Sequence, residues 1–256
     1  QRESWPAIAS GGHALVSAPT GTGKTLSAFL WFVDELAREA EAGELPDELR
    51  VVYISPLKAL GNDINENLKR PIEGITGATC IRTAVRTGDT PQSERTRMQR
   101  KPPHILITTP ESLYLLLTSS GGRRMLSTAR AVIVDELHAI IGTKRGAHLM
   151  LSLSRMDELC RRPLQRVGLS ATIHPLQTAA DYLAEGTRVI APAMQKAADM
   201  EVVCPVPDMR VLPEGTIWPE LARAVVQECE GMRTVIAFLE GRAQAEKLAY
   251  GVNALM

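Results

Sequence analysis

The stretch SAPTGTGKT at residues 17–25 follows the apolar run HALV and precedes LSAFLWFVDELAREA, whose apolar positions recur at helical spacing. A glycine-rich turn between a strand and a helix restricts the fold sharply, because backbone N–H groups then converge where the helix dipole favours an anion. The stretch fits G-x-x-x-x-G-K-[ST] at Gly23, Lys24 and Thr25, with Ala18 standing where the first glycine belongs. Gly21 and Gly23 sit where backbone must approach an anion with no Cβ in the way. The expected arrangement wraps Thr20, Gly21, Thr22, Gly23, Lys24 and Thr25 round the phosphates of a nucleotide. Lys24 would reach the β/γ oxygens and the Thr25 hydroxyl would ligate Mg2+. The alternative is a plain Gly-rich strand-to-helix turn.

Short β-branched or apolar runs then alternate with helical patterns. HALVSA, RVVYISP, RTAVRTG, HILITTP, RAVIVDE and QRVGLSAT each end in a polar turn, which predicts an α/β fold with a mainly parallel sheet sandwiched by helices. Ligands of such sheets lie beyond the carboxyl ends of the strands, where the residues with chemical potential fall here. AVIVDELH places Asp135 and Glu136 directly after a fully apolar strand. Paired with the loop at Lys24, Asp135 would hold the Mg2+ shell through water and Glu136 would orient and deprotonate an attacking water. Acids decorating a helix start are the alternative, since the dipole favours them.

The chain has 256 residues, 45% of them hydrophobic, enough for one large domain and part of a second. Between Ala191 and Pro213 prolines interrupt the periodicity, as in CPVPDMRVLPEG, so the expected division is a domain over 1–190, a connector over 191–213 and a cut-short α/β unit over 214–256. Within that unit WPELARAVVQECE reads as helix, RTVIAFL as a strand and GRAQAEKLAYGVNALM as helix. The chain opens on Gln1 rather than Met, as expected of a piece of a longer protein. With 29 basic and 29 acidic residues, no global field draws it to nucleic acid, and any such partner must be met locally. Arg82, Arg86, Arg95, Arg97, Arg100 and Lys101 form a basic stretch, either a phosphate-facing patch or a solvated helix face. No apolar run approaches a membrane helix, and Cys80, Cys160, Cys204 and Cys229 lack the C-x-x-C spacing of a zinc site.

APTGTGKT, SPLKAL, TTPESL, DELH and LSAT occur in the order and approximate spacing of the superfamily 2 helicase motifs. Together they resemble the first motor domain of that DEAD/H-box class, a RecA-like P-loop NTPase. RTGDTPQSER, VDELHAIIGTKRG and GLSATIHP are similar to the large helicase-related (Lhr) group near the Ski2-like branch. The resemblance implies an ATP- and Mg2+-dependent motor acting on single-stranded or partly duplex DNA or RNA. It further implies a cytosolic bacterial or archaeal setting, with a second RecA-like domain and C-terminal domains beyond this chain. The isolated piece is then expected to be nearly inactive, because arginines of the second domain complete the site in the family.

The resemblance also assigns roles residue by residue. Gln1 would read the adenine edge. Ser55, Pro56, Leu57 and Lys58, then Thr87, Gly88 and Asp89, then Thr109, Pro110 and Glu111, would follow the nucleic-acid backbone, with little sequence readout. His138, Ser170, Ala171 and Thr172 would couple the nucleotide site to domain movement. In VIAFLEGRAQAEKLA, Phe238, Arg242 and Glu246 fit the second domain's pattern, with Arg242 on nucleic acid. Glu240-Gly241 depart from it. Two rivals stay open on the sequence: a P-loop enzyme for a small metabolite, and a non-catalytic nucleic-acid clamp.

Overall fold

The computed structural model describes residues 2–19, 21–56, 72, 74–75, 80–171, 173–192, 200–210 and 215–256. Gln1, Thr20, Leu57, Lys58 and Thr172 lie outside the described residues. By its internal contacts the chain divides into two units, residues 1–194 and 195–256.

The strands of the first unit are β1 (Ala14–Ser17), β2 (Val51–Ile54), β3 (Thr83–Arg86), β4 (Ile105–Thr108), β5 (Ala131–Val134), β6 (Gln165–Ser170) and β7 (Arg188–Ile190). They pair, all in parallel, in the order β3-β4-β2-β5-β6-β1-β7. Every residue of β1, β2, β4 and β5 is buried, as a parallel sheet covered on both faces requires. Six of the strands are those expected from the sequence; β7 is an addition, a three-residue edge strand beside β1.

Alternate residues serve opposite faces. Val16, Tyr53, Ile107, Ile133 and Leu169 enter one apolar layer with Phe29, Phe32, Val33 and Leu36 of α2 (Lys24–Glu41) and Ala7 and Ile8 of α1 (Ser4–Ala9). Leu15, Val52, Leu106 and Val132 enter the other layer, covered by α4 (Pro110–Thr118), α5 (Ser120–Leu126), α6 (Lys144–Cys160) and α7 (Leu176–Leu183). The short α3 (Gln92–Arg100) contributes only Met98 to that layer. A Cβ on Gly168 would stand 2.9 Å from Leu183 Cδ2 and 3.1 Å from Leu15 Cδ1, so glycine there lets α7 close onto the sheet.

Helix starts are set by local chemistry. Thr109 accepts from the Ser112 N–H at 3.3 Å, with Pro110 at the first helical position of α4. Thr143 accepts from the Gly146 N–H at 3.1 Å and caps α6.

In the second unit α8 (Trp218–Glu228) and α9 (Arg242–Asn253) pack together through buried Ala222 and Leu248. Lys247 Nζ lies 5.1 Å from the centre of the Trp218 ring. The strand expected over RTVIAFL does not form among the described residues: residues 233–239 pair with none of them, and Ile236 and Phe238 are 73% and 91% exposed. A strand needs a neighbour's N–H and C=O groups, and no described residue of this unit presents them.

Candidate active site

The loop after β1 is tied to the sheet at one end and to α2 at the other. The Ala18 N–H donates to Ser170 O at 3.1 Å, continuing the ladder with β6 one step past Ser17. Gly21 and Gly23 both adopt left-handed φ, 78° and 79°, which explains glycine at those two positions. Thr22 Oγ1 donates to Pro19 O at 2.7 Å and closes the turn. Lys24 begins α2 and is 6% exposed, and its Nζ has no hydrogen-bond acceptor among the described residues. A buried ammonium in that condition, at a helix start beside left-handed glycines, suits phosphate oxygens. Thr25 follows it, half-buried on the first turn.

Asp135 and Glu136 leave the end of β5, where the Asp135 N–H still donates to Ile54 O at 2.9 Å. Asp135 is 3% exposed and both its oxygens are engaged: Oδ1 accepts from the Glu136 N–H at 2.8 Å, and Oδ2 accepts from the Tyr53 hydroxyl. Burial pushes the Asp135 carboxyl above the usual carboxylate range, and the Tyr53 and Glu136 hydrogen bonds pull it back. Burial, and then the Asp135 charge, push the Tyr53 phenol upward, so it stays a donor at neutral pH. Glu136 has a left-handed backbone, φ 48°, a conformation costing a non-glycine residue about 1–3 kcal/mol. That turn ends the strand and sets the Glu136 carboxylate 3.5 Å from Lys24 Nζ.

β6 lies between β1 and β5 and carries the third element of the cluster. His138 Nδ1 is 3.3 Å from Glu136 Oε2, accepts from the Ala171 N–H at 3.2 Å and is 3.5 Å from Ser170 Oγ. Ser17 Oγ in turn donates to Ala171 O at 3.3 Å. One set of contacts thus joins the ends of β1, β5 and β6, bringing together Lys24, Asp135, Glu136, His138, Ser170 and Ala171. Beside Lys24 a 370 Å³ cleft continues past Ser4, Ala18, Ser27 and Ile190.

The residues assigned to nucleic acid are placed unevenly. Pro56 and Pro110 are buried, and Thr109, 2% exposed, spends its hydroxyl on the helix cap. Exposed Glu111 is held by Arg145, Nε to Oε1 at 2.5 Å and Nη2 to Oε2 at 3.0 Å, and that hydrogen bonding keeps its carboxyl below the usual range. The Thr87–Thr90 turn is exposed at Gly88 and Asp89 and is fixed from beneath: Arg95 donates to Thr90 O at 2.7 Å and to Gly88 O at 2.8 Å, and Arg86 donates to Thr87 O. Two members of the basic stretch therefore bind the turn's own carbonyls, and a third, Arg82, pairs with Asp47 at 2.8 Å. Arg242 is exposed at the start of α9 in the second unit. Tyr53 was not among the expected site residues. Its one sequence signal is a phenol within the apolar strand VVYI.

A glycine loop at β1 facing an acidic pair at β5, at the carboxyl edge of a parallel sheet, is the layout of the RecA-like P-loop fold. The chain belongs to the DEAD/DEAH box helicase family, which residues 1–180 match. It is 46% identical, over 99% of its length, to the Lhr helicase/probable uracil glycosylase of Mycolicibacterium smegmatis, covering 17% of that protein. It is 43% identical over 99% of its length to the ATP-dependent helicase Lhr-Core of Methanothermobacter thermautotrophicus, covering 31% of it. The structure of Mycobacterium smegmatis helicase Lhr bound to ssDNA and AMP-PNP superposes with a TM-score of 0.83 at 44% identity, over 99% of this chain and 33% of that one. The helicase MrfA, at 20% identity and a TM-score of 0.76, shares the fold. The chain thus spans less than a third of the length of these two curated relatives. Among the described residues no helix is long and apolar enough to cross a membrane.

Proposed function

We propose that this chain is the nucleotide-hydrolysing motor domain of an ATP-dependent nucleic-acid helicase, residues 1–190, followed by a connector over 191–213 and the start of a second RecA-like domain over 214–256. The observation that carries the reading is the buried Lys24 ammonium, which faces Glu136 and has no hydrogen-bond acceptor among the described residues. ATP binding at the loop gives Lys24 phosphate oxygens in place of the Glu136 carboxylate. Glu136 is then free to take a proton from water, a role its position beside His138 supports. Mg2+, when bound, neutralises charge on the phosphates, and Thr25 and Asp135 are the residues that would hold it, Asp135 through water.

His138 reports the state of Glu136 to β6, because it contacts Glu136, Ser170 and Ala171 at once. The second unit's exposed apolar run at Val235, Ile236 and Phe238 supports the domain division, since such a run needs further strands to cover it. Single-stranded DNA or RNA is the proposed track, met at Gly88, Asp89 and the start of α4. The test is ATP hydrolysis by the full-length protein across a titration of single strands. Stimulation is expected; hydrolysis indifferent to every nucleic acid would reject the reading.

A further inference from the structure

Tyr53 carries the one polar side chain of β2 and is fully buried. Its ring stacks on Phe29, centroids 4.7 Å apart at 29°. A phenylalanine would fill that layer without bringing a hydroxyl into it, and burying a hydroxyl is costly unless it is bonded. The sheet register supplies the partner: Tyr53 lies opposite Ile133, so Asp135, two residues on, projects to the same face. The phenol donates to Asp135 Oδ2 while the Glu136 N–H takes Oδ1.

We propose that Tyr53 is a positioning residue of the ATP site, fixing the Asp135 carboxylate so that its remaining lone pairs face the hydrated magnesium ion. The two donors lie on different elements, the phenol on β2 and the amide on the turn after β5, so together they set both the position and the plane of the carboxylate. Each carboxylate oxygen has two acceptor directions, and one hydrogen bond apiece leaves the other available. Without the phenol, Oδ2 of a nearly buried carboxylate loses its donor and the group is free to rotate about its one remaining bond. The effect falls on magnesium rather than on the nucleotide, because among the described residues the Tyr53 hydroxyl bonds to Asp135 and not to Lys24 or the rest of the loop that cradles phosphate. The inference rests on the proposed role of Asp135 in holding magnesium.

The experiment measures binding of a fluorescent non-hydrolysable ATP analogue to the full-length protein, in chelator and across a magnesium titration. Tyr53→Phe keeps the ring and its stack. It should leave the magnesium-free affinity unchanged while raising the magnesium needed for half-maximal tightening by roughly threefold to tenfold, the net scale of one ordinary hydrogen bond. In an Asp135→Asn background the same change should add nothing. A magnesium curve unmoved by Tyr53→Phe, equal weakening with and without magnesium, or an undiminished shift in the Asp135→Asn background would each overturn the inference. A wild-type protein whose nucleotide affinity ignores magnesium would overturn it together with the proposed function.

Discussion

Lys24 Nζ and Glu136 Oε2 lie 3.5 Å apart, although they follow different strands, β1 and β5, with β6 between them. The contact depends on two backbone conformations: left-handed Gly23 at the start of α2 and left-handed Glu136 after β5. The lysine is nearly buried and pairs with the carboxylate proposed as the base, so a bound phosphate would compete with Glu136 for one ammonium.

Lys24→Ala should weaken ATP-analogue binding by roughly tenfold to a hundredfold, the range for charge-assisted hydrogen bonds lost at a phosphate. Titrating a fluorescent nucleotide against wild type and variant gives the ratio directly. Unchanged affinity would remove Lys24 from the phosphate site.

Arg95 holds the Thr87–Thr90 turn through two carbonyls, so Arg95→Ala should cost single-strand affinity roughly threefold to thirtyfold although Arg95 lies beneath the surface it supports. Arg95→Lys should recover little, because an ammonium lacks the planar fork that spans both carbonyls. Oligonucleotide anisotropy measures both. Full affinity in Arg95→Ala would show that the turn does not meet the strand.

His104 predicts a pH dependence of stability. Its Nδ1 accepts from the Arg82 N–H at 3.0 Å, and burial, then the Arg82 charge, pull its pKa from 6.5 down to about 4. Between those values the unfolded chain binds a proton that the folded chain does not. The stabilisation is complete above pH 6.5 and is lost towards pH 4, by about 1.4 kcal/mol per pH unit. Urea unfolding at pH 7.5, 6 and 5 should show that slope, and His104→Asn should flatten it. A His104 ring resonance titrating near pH 6.5 would contradict the assignment.

What was legible in the sequence was what local pattern encodes. The interior strands are continuous apolar runs ending in polar turns, and the glycine loop and acidic pair follow two of them directly, so β1, β5 and their chemistry could be read without coordinates. Strand β7 could not, because three residues carry no period and pair only through β1. Tyr53 was invisible because its meaning comes from register with β5, a relation between residues 82 apart. RTVIAFL has the composition of a strand, but composition supplies no partner. Thr109 and Glu111 sit in an expected strand-contacting loop, yet one hydroxyl caps a helix and one carboxylate binds Arg145. A motif locates such residues without fixing where their polar atoms point.

In the proposed mechanism Glu136 performs the chemistry of turnover while Lys24 and the loop perform binding. The most direct measurement is single-turnover ATP hydrolysis by the full-length protein, wild type against Glu136→Gln, with saturating single strand and nucleotide binding monitored in parallel. Loss of a general base costs about 10²–10⁴-fold in rate, so the variant should fall by that factor while binding nucleotide as tightly as wild type. Hydrolysis at an undiminished rate in a variant that still binds nucleotide would contradict the assignment of Glu136 as the base.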